Sequence, residues 1–154
     1  MSLQTSEIND GDAVTVWWVV FNEPGECGTS PCGEADIFDP DTRTDVLYAA
    51  GHVVGNGSQT NFASQLSLGD NSDSIMPFFN ALLGTNLPSL GLENPHSAEV
   101  HLVVRTHEEA LPEFMPDMIR TFNGGCSYPP GVPTNFGAPG PNTCEDIQFS
   151  IHQP

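Results

Sequence analysis

The chain contains no lysine, and its three arginines stand against 20 aspartates and glutamates, a formal net charge of −17 at pH 7. Nucleic-acid binding needs cationic side chains that displace counterions from phosphates, and anionic membrane surfaces attract the same residues. Both partner classes are excluded from the expected function. Long apolar runs are also missing: the longest lies around residues 13–21, short of the roughly 18 residues a membrane-spanning helix needs. The first twelve residues, MSLQTSEINDGD, lack the basic start and apolar stretch of a signal peptide. No Gly-x-Ser-x-Gly elbow marks a nucleophilic serine, and no Cys-x2-Cys knuckle marks a structural zinc site.

What is present begins with four cysteines. Cys27 and Cys32 flank the loop CGTSPC, and Cys126 and Cys144 bracket GCSYPPGVPTNFGAPGPNTC, the stretch richest in proline and glycine. Neighbours in sequence suggest two local bridges, although four cysteines permit three connectivities. Closing the second loop is worth about 3 kcal/mol in the chain-entropy picture. Oxidised cysteines point to an extracytoplasmic home, secreted or periplasmic, and the opening Met-Ser-Leu then reads as a start added for expression after removal of a native leader. A length of 154 residues suits one domain. Residues 1–12 are expected to be disordered or added, and 13–154 to form a single β domain with a disulfide-stapled loop at 126–144.

Residues 12–21 (DAVTVWWVVF) are β-branched and aromatic and apolar on both faces, as suits a strand buried between layers. Further strands are expected at 45–54, 61–68, 99–105 and 145–152, with GNGSQ as a hairpin loop between the second and third. In the last strand Ile147, Phe149 and Ile151 should face inward. Residues 75–83 and 111–121 read as short helices, each with a proline near its start. With 14 prolines, 15 glycines and no alternation of strands and helices, the fold class is all-β and mainly antiparallel: a β-sandwich or small barrel with one or two short helices in its loops.

The candidate chemistry lies on the segment AEVHLVVRTH, residues 98–107. Side chains of a strand alternate between faces, so Glu99, His101, Val103, Arg105 and His107 share one side, which holds two of the five histidines and one of the three cations. Glu99 and His101 are two residues apart, about 6.6 Å along a strand, and can reach one ion. His52, in AAGHVVG beside Gly51, is the expected cross-strand partner; glycine there allows a bulge or close backbone approach. His52, Glu99 and His101 then make a two-histidine, one-carboxylate set suited to zinc, copper or another divalent metal. Arg105 and His107 are candidate ligand-binding residues, Arg105 as a clamp for a carboxylate and histidine for proton transfer. The plain alternative is a solvated Arg105 ion pair, worth about 0–1 kcal/mol. Asp39, Asp41 and Asp45, and Asp70, Asn71 and Asp73, form oxygen-rich loops of the kind calcium prefers, but without the EF-hand register. Trp17 and Trp18 must point to opposite faces; both suit the core, and one can line a pocket.

The order WWVVFNEPGEC, CGEAD, AAGHVVGNG, GLENPHSAEVHLVVRTH, FNGGC and CEDIQFSIH resembles an uncharacterised family of secreted bacterial all-β proteins, which implies secretion and β structure without an activity. Over a shorter stretch the chain also resembles the CHRD domain, an extracellular β-sandwich with a short His-x-His strand; here Glu99 stands where that pattern has its first histidine. The expected role is a secreted or periplasmic binding domain for a divalent metal or small ligand. The alternatives are a small enzyme using the same residues for acid–base or metal-assisted chemistry, and a structural surface protein.

Overall fold

Valine, tryptophan and phenylalanine on both faces of residues 12–21 require cover on both sides, and the architecture supplies it. The computed structural model describes residues 1–6, 8–57, 59–128 and 137–154. Its elements are β1 (Ser2–Ser6), β2 (Asp12–Phe21), β3 (Thr44–Val53), β4 (Gln59–Ala63), α1 (Met76–Leu83), β5 (Glu99–Glu109) and β6 (Glu145–His152), with several short 3-10 turns. A four-stranded antiparallel sheet runs in the order β3-β2-β5-β6, and β1 pairs with β4 in a second, two-stranded sheet. The result is an open sandwich rather than a closed barrel. β2 is buried along its whole length.

The two faces of the large sheet carry separate cores. Val14, Val16, Trp18 and Val20 pack with Leu102 and Val104 of β5 and with Phe62 of β4 beneath the small sheet. Trp17, Val19, Phe21, Val46 and Val103 pack on the opposite side against Cys32, Ile75 and Met76. Both tryptophans are buried. Each such side chain contributes about 1.5–3 kcal/mol relative to exposure.

Residues 2–6, expected to lie outside the fold, pair in register with β4, and Ile8 is buried. Leu3 and Thr5 of β1 turn toward the protein, as alternation requires. GNGSQ is not a hairpin loop: β3 is bonded to β2, and after Val54 the chain crosses to the other layer, where Thr60 and Phe62 turn inward. β4 ends at Ala63, because SQLSL supplies no β-branched residue to continue it. The segment 111–121 forms two 3-10 turns, Pro112–Phe114 and Asp117–Ile119, instead of one helix. Pro116 lies between them and can neither donate to a helical ladder nor fit beside the preceding turn. α1 forms as expected and stops at Gly84, whose φ of 69° is the left-handed C-terminal cap.

Cys27 bonds to Cys32 and Cys126 to Cys144, so no cysteine is free. The middle of the expected stapled loop, 129–136, lies outside the described residues. No helix of the described residues is long and apolar enough to cross a membrane.

Candidate functional site

β5 places Glu99, His101, Val103 and Arg105 toward the side of the large sheet away from β1 and β4. Phe21, Val19, Trp17 and Thr15 of β2 stand opposite them in turn, so the polar groups at the two ends are separated by an apolar floor. In front of this floor lies a cleft of about 710 Å³. It is bounded by Trp17, Val103, Phe79 and Phe122, by the 3-10 turn Glu34–Phe38, and by Phe149 and Ile151 on β6. β6 is an edge strand, and Phe149 and Ile151 are 64% and 44% exposed. They form a rim rather than a core. Ile147, expected on their side, packs into the opposite core, because the pairing slips between Val104 and Arg105 and the irregularity re-aims the side chain.

Glu99 is only 2% exposed but fully engaged. Its Oε1 accepts from the Cys32 backbone N–H and from His101 Nε2, both at 2.7 Å, and its Oε2 accepts from Gln153 Nε2 at 2.9 Å. Burial alone would raise its pKa, but these three donors together outweigh it and hold the carboxyl below its usual range. His101 is thereby oriented with one ring nitrogen on Glu99, its ring 5.0 Å from that of Phe21. Arg105 at the other end of the cleft donates to the Phe122 carbonyl at 3.0 Å and to Asp146 at 2.8 Å, and its guanidinium carbon lies 4.1 Å from the Phe122 ring centre. A strand-face ion pair is thus present, with Asp146 as the acid, but the guanidinium lies largely buried against Phe122 and is not solvated as expected.

His52 does not join Glu99 and His101. Its partner on β2 is Val14, whereas His101 stands opposite Val19, five residues or about 16 Å away along the strand. Val14 and Val19 also face opposite ways, and His52 stacks on Phe62 at 4.4 Å and bonds Thr60 in the other core. Antiparallel pairing brings the start of β3 to Glu99, not its end. The proposed metal set is therefore not assembled.

His107 is also displaced from the expected site. It has no exposed surface; Nδ1 lies 2.9 Å from the Gly124 carbonyl and Nε2 3.0 Å from Thr15 Oγ1, which in turn accepts from Trp17 Nε1 at 2.8 Å. The Cys126–Cys144 bridge packs against it. Burial pushes its pKa down from 6.5 to about 4; the Gly124 carbonyl opposes this and Arg105 adds to it. It is a neutral packing residue, out of a ligand's reach.

Two clusters among the described residues bring three residues of metal-ligand type within 4.8 Å: His107 with Cys126 and Cys144, and Asp36 with Cys27 and Cys32. In each, the sulfurs are joined in a disulfide and offer no thiolate. The calcium-type loops do not form such a cluster. Asp39 accepts from the Asp41 N–H, Asp70 from Ser72, and the buried Asp45 from Ser74 and the N–H groups of Leu90 and Gly91. Asp39 and Asp70 serve their own turns, and Asp45 ties β3 to the 74 and 90–91 segments.

Phe79, Phe122 and Gln153 come from a helix, a turn and the C-terminus, and no local pattern marks them for a site; Cys32 is marked by its spacing only for a bridge. Of the two tryptophans, one of which could line a pocket, it is Trp17 that lines this cleft. No family model, curated protein or solved structure matches the chain.

Proposed function

We propose that this protein is an extracytoplasmic binding domain that takes a small, mainly apolar molecule into the cleft in front of β5. One observation carries the reading: a concavity of about 710 Å³ walled by Trp17, Val103, Phe79 and Phe122, with polar groups only at particular points, His101 and Arg105 among them. Ligand sites are characteristically of this size and composition. The two disulfides support the compartment, and the acidic surface keeps such a domain soluble.

Titration with N-phenyl-1-naphthylamine, an uncharged apolar dye, followed by its fluorescence, tests the cleft. Saturable binding is expected, weakened at least about tenfold, or ~1.4 kcal/mol, by Val103→Trp, which fills the floor, while cooperative unfolding is retained. Absence of saturable binding, or equal affinity in a folded Val103→Trp protein, overturns the reading.

A further inference from the structure

We infer that the molecule bound in this cleft is a neutral, mainly apolar compound that donates a hydroxyl hydrogen to His101 Nδ1; this rests on the binding reading above. An ionised carboxylate accepts hydrogen bonds and donates none. Glu99 Oε1 lies 2.7 Å from His101 Nε2 and is held by two further donors, Cys32 N–H and Gln153 Nε2. In the neutral imidazole the hydrogen therefore sits on Nε2, and Nδ1 presents a lone pair.

No hydrogen bond within the described residues reaches that lone pair. No enclosed side-chain nitrogen or oxygen among them lacks a partner, so Nδ1 is not sealed in the core. His101 lines the cleft, and the cleft is where Nδ1 meets its partner. Beside it are Phe21, Val19 and Val103, which suit an apolar body next to the hydroxyl.

The charge distribution selects a neutral donor over a carboxylate. The net charge is −17, Glu34 and Asp146 line the same cleft, and Arg105 is already paired with Asp146. An anion entering here meets repulsion with its one nearby cation engaged. A phenol or alcohol does not. Glu99 acts as a positioning residue, fixing the tautomer of the ring that meets the ligand.

Three matched probes test this by calorimetry or quenching of tryptophan fluorescence: 2-naphthol, 2-methoxynaphthalene and naphthalene. The 2-naphthol is expected to bind about tenfold tighter than either analogue. His101→Phe should reduce it to the level of 2-methoxynaphthalene and leave naphthalene within about twofold. Equal affinity for all three overturns the hydroxyl inference and leaves the cleft reading standing; binding of none overturns both. Nitrogen-15 NMR of histidine-labelled wild-type protein provides a test independent of the variant's folding. A bare Nδ1 whose resonance moves with 2-naphthol and not with 2-methoxynaphthalene is expected, and an Nδ1 that carries hydrogen beforehand or ignores 2-naphthol overturns the inference.

Discussion

His101 and His107 stand on the same strand, six residues apart, and the structure gives them opposite tasks. His101 borders a cleft with its orientation set by Glu99; His107 closes a buried chain of hydrogen bonds running from Trp17 through Thr15 to the Gly124 carbonyl. Both imidazoles were visible as candidates because alternation puts them on one face, but burial at each end of the strand depends on which loops fold over it. The buried ring has a measurable consequence. The unfolded chain takes up a proton near 6.5 and the folded chain only near 4, so the stability from a neutral His107 is complete above about pH 6.5. It is lost as pH falls toward 4, up to about 3 kcal/mol. Urea unfolding at pH 7 and pH 4.5 should show wild-type protein losing about 2–3 kcal/mol more than His107→Gln over that interval; parallel losses would show that the ring is not held neutral.

Among the elements, β3 was legible in its strand character and in the meaning of its glycine. Gly51 lies where a Cβ would run into the Ile119 carbonyl and the Val14 carbonyl, and the pairing of β2 with β3 slips nearby, between Val16 and Trp17. Close backbone approach and a bulge are both realised. Gly51→Ala is expected to lower stability by about 1–3 kcal/mol, the usual penalty for overpacking, with the loss read from chemical denaturation and Gly55→Ala, where a Cβ meets nothing, as the neutral comparison. A neutral Gly51→Ala would mean that the 117–119 turn does not pack there. Less legible were connections. The GNGSQ segment has hairpin composition, yet β4 finds β1 as its partner, because loop chemistry specifies a turn and not the sheet to which the next strand belongs.

At the scale of the whole molecule, the lack of lysine leaves a large uncompensated negative charge. With −17 formal charges at pH 7, self-repulsion opposes the compact state, and salt screens it over a Debye length that shortens from about 20 Å at low ionic strength to about 4 Å near 0.5 M. The thermal midpoint should rise by about 5 °C over that range of sodium chloride. An unchanged midpoint in calorimetry would show that the acids are already compensated, and a further rise with calcium chloride at matched ionic strength would reveal specific cation binding. Composition and alternation by themselves determined most of the strand content, the mainly antiparallel all-β class and the face of β5 that bears the imidazoles, and they suggested the local disulfide pairs, because these follow from periodicity and from short separations along the chain. Only the tertiary structure decided that His52 belongs to the opposite core, that His107 is sealed, and that Phe79, Phe122 and Gln153 surround the rest. Register and layer assignment bring together residues far apart in the chain, and no local pattern encodes which of them will meet.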